Sequence, residues 1–545
     1  MYSDRGNENS RKVLKNIKRL KLNRLISVII FLLAFIPGTV HGSNTMKEDP
    51  NSYSVIYFKN NQFYMFEKSG ENQKLSDTVF LGVNNDEDVY RQYQNDFAQA
   101  SKDGNTVYFI ESYDLDRRVG ELYIKESRKE KEKIASEVSK YFTISEDGST
   151  VLFLKNYDFE NDTGELYAYS KGQKIEKIAD EVSRDRYFIT SEGNKFIFLE
   201  NHKHTYAKSE LYIKEKSKEK VKIDSDVYHV SSISDDGNII TYQKLTDIKN
   251  PYIYTLFVKE KDKEPQKIAD DVFINIYNKD GTQIAYLANY QVDKGYGDLY
   301  FKTFGKKSAE EMVDNKVSYI MENDRPMNDL TVFYYKLNEN KLKLNDIYIK
   351  RIGREKEKLI TPNEAELEYD LQCDLDGNLI AYTVYDTNNR YKSLYVHRFK
   401  NGKWKEREKI SDNVFDFAVS NKGGRIAYLR NRVDYEVDLY LYTEEGKSEK
   451  ISDDVDYDYL INNEGNAIIF LARGNDYKWD LWKFEAGKGK YKVDSDVFRF
   501  YTYDFNGIVY LKDYSLEWKG NLYIHKGQDE PEKIDEDVFS ILTVH

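Results

Sequence analysis

The sequence predicts an all-β fold: a β-propeller of about eleven four-stranded blades, expected as two tandem propellers behind an N-terminal signal or transmembrane segment. Three observations carry this. Tyrosine numbers 47 and proline only 7 in 545 residues, and tyrosine, valine and isoleucine favour strands. A unit of 41 to 48 residues recurs along the chain. Within each unit glycine turns separate four short apolar runs, and no 3.6-residue periodicity persists.

The unit at 141–182 shows the parse. Strand a is YFTIS, and Glu146-Asp147-Gly148 makes a tight turn into strand b, TVLFLKN. The longer polar loop YDFENDTG leads to strand c, ELYAYS, and Lys171-Gly172 turns into strand d, KIEKIA. The turn glycine recurs at Gly104, Gly193, Gly237, Gly281, Gly377, Gly424, Gly465 and Gly507. A Leu-Tyr type pair follows it, led by Leu122, Leu166, Leu211, Leu256, Leu299, Ile347, Leu394, Leu439, Leu481 and Leu522. A four-stranded unit has two apolar faces and cannot bury both alone, so units must stack around an axis. Eleven exceed the four to eight blades usual in one ring, so two propellers are expected, at 50–315 and 316–545. Their boundary falls within the least regular stretch, 304–370, where Asn328-Asp329 replaces Asp-Gly and TPNEAEL is inserted at 361–367. The unit at 53–76 lacks strand a, and the C-terminal VFSILTVH is a strand without partners. The two together should form one blade that joins the chain ends.

This pattern, S-x-D-G, then (I/V)-x-(Y/F)-L, then L-Y, resembles the TolB-like and WD-repeat-like propellers, including those that precede the hydrolase domain of prolyl-oligopeptidase-type peptidases. The resemblance covers nearly all of 50–545 and implies the fold rather than a function; TolB-type propellers also suggest a component of a larger envelope complex. The chain departs from it where Lys102, Glu146 and Asp235 stand in place of a proline before Asp-Gly, and no Trp-Asp closes each blade. No G-x-S-x-G, H-E-x-x-H, P-loop or G-x-G-x-x-G occurs, so no hydrolase half, zinc-protease or nucleotide motif is present.

Residues 1–24 hold eight basic and two acidic side chains, a charge of +6, which leaves −18 on the rest of a chain whose total is −12. The segment 25–42 begins with sixteen uncharged residues, LISVIIFLLAFIPGTV. A basic region, an apolar region and small residues, in that order, describe a signal peptide, with Val40 and Gly42 at the −3 and −1 positions of a cleavage site. The uncharged run continues to Met46 and is also long enough to be an anchor with a cytoplasmic N-terminus. Either way 50–545 is expected outside the cytoplasm, with membrane association through 25–42 if it stays uncleaved. The acidic body is a poor partner for nucleic acid. Cys373 is the only cysteine, which excludes an intrachain disulfide and a cysteine zinc site. His202 and His204 read as solvated loop residues, and Asp374-Leu375-Asp376-Gly377 reads as an a–b turn. No catalytic residue, metal or cofactor is expected.

In a propeller the b–c and d–a loops share one face. Here the b–c loops are aromatic and acidic, and the candidate binding residues are Tyr113, Asp114, Tyr157, Asp158, Tyr435, Tyr477, Trp479, Tyr514 and Trp518. The d–a loops are acidic as well, while the c–d turns are lysine-rich, as in KESRKEKEK at 125–133. Aromatics beside carboxylates suit sugars or basic peptides. The expected function is a non-catalytic extracytoplasmic binding or scaffold module for a protein, peptide or glycan at the cell envelope. The alternative is a propeller enzyme acting on a polysaccharide or lactone, with carboxylates or a metal at the channel mouth.

Overall fold

Strand b of each repeat is an unbroken apolar run, and the packing shows why. In blade 3, Val151, Leu152, Phe153 and Leu154 are all fully buried. Alternate residues of a strand point to opposite faces: Val151 and Phe153 enter one apolar cluster with blade 2, while Leu152 and Leu154 enter another with blade 4. Each sheet is thus covered on both sides by its neighbours.

The computed structural model describes residues 54–83, 96–203, 208–246, 252–305, 308–321, 327–337, 345–360, 370–386, 391–422, 424–431, 437–474, 478–515, 519–527 and 529–545. Among them there is no α-helix, and the strands pair antiparallel in sequence order. Blade 4 is representative: Tyr187–Ile189, Lys195–Lys203, Lys208–Glu215 and Val221–Val227 serve as strands a to d. The tyrosine of each Leu-Tyr pair lies flat against an aromatic of strand b, as Tyr212 does on Phe198 at 5.7 Å and 12°. The same cross-strand stack recurs in most blades, from Tyr57–Tyr64 to Tyr510–Tyr523, which accounts for much of the tyrosine content.

The a–b turn is built from its sequence. Ser234 accepts the amide of Asn238 at 3.1 Å and donates to Asp236 at 2.7 Å, and Gly237 adopts φ +65°. A Cβ on Gly237 would lie 2.8 Å from Thr190 of the preceding blade. Glycine is therefore required for conformation and for the contact between blades.

The chain ends meet as expected. Strand Ser540–Val544 pairs with Val55–Lys59, and Gln62–Phe66 and Asn72–Lys74 complete that sheet as blade 1. The first and last strands are thereby zipped together. The expected boundary at 315/316 falls within a strand. Strand Ala309–Met321 runs straight through it, pairing Leu299 with Asp314 in blade 6 and Tyr319 with Tyr335 in blade 7. Apolar clusters continue from blade 6 to 7, from 7 to 8 and onward, and a further one joins blade 11 to blade 1. These clusters link consecutive blades because strand b exposes an apolar face to each neighbour. The insertion at 361–367 lies outside the described residues.

The acidic d–a loops have a structural cause. Asp226, Asp271, Asp454, Asp496 and Asp537 each hold positive φ, between 47° and 60°, one residue before a buried valine. This left-handed kink turns strand d into the next strand a, and aspartate tolerates it better than most side chains.

Candidate binding face

The expected b–c loop residues are mostly committed to packing and turns. Tyr113 is buried, edge-to-face on Phe97 at 4.7 Å. Asp114 accepts the amides of Asp116 and Arg117 at 2.9 and 3.0 Å. Tyr157 donates its hydroxyl to Asp162 and packs edge-on against Phe159. Asp158 accepts the amides of Glu160 and Asn161 at 2.8 and 3.2 Å. Trp479 is half-buried where blades 10 and 11 meet, and Tyr514 is stacked on Phe498 at 4.0 Å. Tyr435, Tyr477 and Trp518 lie outside the described residues, as do the His202 side chain and His204. Asp374 holds an a–b turn, accepting the amides of Asn378 and Leu379.

Phe159 and Tyr252 are exposed on b–c loops, and three further exposed aromatics sit on the innermost strands of blades 9 to 11, Val414–Val419, Val455–Ile461 and Val497–Thr502. Phe415, Tyr457 and Phe498 are 47%, 53% and 40% exposed. The local cause is a β-bulge at the start of each strand. Pairing jumps from Val414 to Asp416, from Val455 to Tyr459 and from Val497 to Arg499. A bulge re-aims the side chain it leaves unpaired, so Phe415, Tyr457 and Phe498 turn away from the sheet. Phe415 and Tyr457, from adjacent blades, meet with ring centroids 4.6 Å apart at 33°.

Carboxylates flank this pair. Asp416 follows Phe415, and Asp456 and Asp458 bracket Tyr457. None of the three forms an ion pair among the described residues, although carboxylates elsewhere are extensively bridged: Asp370 of blade 8 is held by Lys392 at 2.5 Å, and Asp96 of blade 2 by Lys140 at 2.5 Å. Partial desolvation among the inner strands raises the Asp416 carboxyl above its ordinary range, and the charge of Asp370 adds to this. Desolvation raises Asp456 in the same way, with Asp458 contributing. Tyr459 is buried, and burial together with the Asp416 carboxylate beside it pushes its hydroxyl well above the ordinary value. The V-F-D-F, V-D-Y-D-Y and V-F-R-F strings were visible in the sequence, but without the bulges they read as ordinary inner strands. Among the described residues no group of three His, Cys, Asp or Glu side chains could hold a metal ion, and no helix is long and apolar enough to cross a membrane.

No family model matches the chain, and no curated protein matches it. Solved structures do. A eukaryotic initiation factor is 9% identical, with 90% of this chain and 98% of that one covered at a TM-score of 0.42. The β-propeller domain of the Trilobed protease from Pyrococcus furiosus is 15% identical over 56% of this chain and 92% of its own, at 0.27. TolB from Acinetobacter baumannii is 12% identical over 56% and 77%, at 0.23. These similarities concern the fold alone, which the strand order above already assigns: the chain is a β-propeller, with TolB and peptidase propellers among its structural neighbours.

Proposed function

We propose that this chain is an extracytoplasmic, non-catalytic binding protein whose working face is the inner-strand mouth of blades 9 to 11. One observation carries the reading: a bulge in each of three consecutive inner strands turns an aromatic side chain outward, and three carboxylates without ion-pair partners among the described residues stand beside the leading pair. Exposed aromatics cost hydration free energy when nothing covers them, and contiguous ones mark interaction sites. Residues 25–42, apolar after a basic stretch, support export or anchoring.

The test is a binding screen of the full-length chain against peptide and oligosaccharide arrays, beside a Phe415→Ala/Tyr457→Ala variant with the same thermal melt. Saturable binding by the parent that the variant loses is expected. Equal binding by both, or none by the parent, overturns the proposal. Protease accessibility of 50–545 in intact cells tests the location. A second reading, turnover of a polysaccharide or lactone, draws on the Asp416 and Asp456 carboxyls, both raised by desolvation, since carboxyls shifted in that direction suit general acid–base work. Turnover that disappears in Asp416→Asn/Asp456→Asn would establish it.

A further inference from the structure

We infer that the occupant of this mouth is a cationic polypeptide segment, with a lysine or arginine side chain lying against the Phe415–Tyr457 pair; this rests on the binding reading above and names its ligand class. The two halves of the site point the same way. The aromatic faces are exposed and adjacent, 4.6 Å between centroids, and a ring face attracts a cation through its quadrupole. The same chemistry already operates inside the protein, where the Arg118 guanidinium lies 4.5 Å from the centre of Phe159 and the Arg354 guanidinium 4.0 Å from that of Phe399. At the mouth Arg499 already lies 5.8 Å from the centre of Phe498, whereas the Phe415–Tyr457 pair is flanked by acids.

Charge complementarity decides between classes of ligand. Asp416, Asp456 and Asp458 have no ion-pair partner among the described residues, and Asp370 adds a fourth carboxylate, held by Lys392. Asp416 and Asp456 are held above the usual carboxylate range by their surroundings. An arriving ammonium or guanidinium relieves that repulsion, whereas a neutral sugar leaves it in place and an acidic segment worsens it.

The experiment is fluorescence anisotropy on the full-length chain with three labelled twelve-residue peptides, lysine/arginine-rich, neutral and glutamate-rich, and with a neutral and an anionic oligosaccharide. The cationic peptide is expected to bind at least about tenfold tighter than the others and to weaken as salt rises. Asp416→Asn/Asp458→Asn should weaken it about tenfold and Phe415→Ala/Tyr457→Ala at least as much. Glu130→Gln/Glu219→Gln, which removes two charges from exposed outer turns, should change it less than about twofold. Equal affinity for all three peptides, or an unchanged affinity in Asp416→Asn/Asp458→Asn, overturns the inference. Tight binding of an oligosaccharide that is lost in the aromatic variant and kept in the aspartate variant overturns the cationic ligand while leaving the binding face standing. Failure of both double variants to alter the binding of any probe removes the face itself.

Discussion

The Tyr57 hydroxyl donates to the Asp535 carboxylate at 2.6 Å, across the junction where the last blade meets the first, and Lys59 joins the same carboxylate at 2.7 Å. Strand d of one blade thereby clamps strand b of the next. The arrangement recurs at Asp224 with Tyr242 and Lys244, at Asp314 with Tyr334 and Lys336, and at Asp494 with Tyr510 and Lys512. Where strand d offers alanine instead, as at Ala135 and Ala179, the facing positions of the next strand b are Phe153 and Phe198. The polar clamp and the apolar contact are two solutions to one blade interface.

At the terminal junction this clamp should matter most, because strand a of blade 1, Ser540–Val544, is held to strand b, Val55–Lys59, by pairing alone. Asp535→Ala leaves the Tyr57 hydroxyl and the Lys59 ammonium without their shared acceptor, a cost of about 2 kcal/mol. Tyr57→Phe, which removes only one donor, should cost about 1 kcal/mol. Denaturant melts measure both. Equal stability of Asp535→Ala and the parent would show that strand pairing alone closes the ring.

Lys125 and Glu67 form an inter-blade pair at 3.6 Å with side chains only 7% and 2% exposed. Removing one partner leaves a buried charge, whereas removing both does not. Glu67→Ala should therefore cost about 3 kcal/mol, and Glu67→Leu/Lys125→Met clearly less. A double-mutant cycle reads the difference, and equal losses would contradict it.

Acid should weaken the fold in two separate windows. Burial holds the His397 imidazole down at about 4, with the charge of Arg407 assisting, against an ordinary 6.5. Between those values the unfolded chain binds a proton that the folded one refuses, so stability falls as pH drops from about 6.5 toward 4. Asp224, Asp314 and Asp535 are held below the ordinary carboxylate value of 3.8 by their clamp lysines and tyrosines, against the opposing effect of burial. Their contribution is complete above that value and is lost as pH falls through the lowered ones. His229, also held down at about 4, and His525, lowered by burial, act in the same upper window, so melting curves of His397→Gln should shrink that window without abolishing it and keep the lower.

Two turn glycines separate conformation from contact. Gly148 and Gly172 both hold positive φ, +63° and +72°. A Cβ on Gly172 would meet nothing within 4 Å, whereas one on Gly148 would lie 2.7 Å from the Cβ of Ser101 in blade 2. Gly172→Ala should cost only the left-handed backbone penalty, about 1 kcal/mol. Gly148→Ala should cost about 1–3 kcal/mol more through overlap between blades. Matching melts for the two variants would rule out that overlap.

The amino-acid pattern alone determined the strands, their grouping into fours and the union of the chain ends. These follow from local turn chemistry and from apolar runs that repeat at a fixed interval, both properties of neighbouring residues. It did not reveal how many rings the blades form, because closure depends on how each pair of sheets packs, and the stretch around 315/316 looks irregular while its strand continues unbroken. Side-chain exposure was not legible in the sequence for a similar reason. Tyr113 and Tyr157 look available in the sequence, and only packing shows them buried. Phe415 and Tyr457 look like core, and only the bulges, which exist between strands rather than within them, turn them outward.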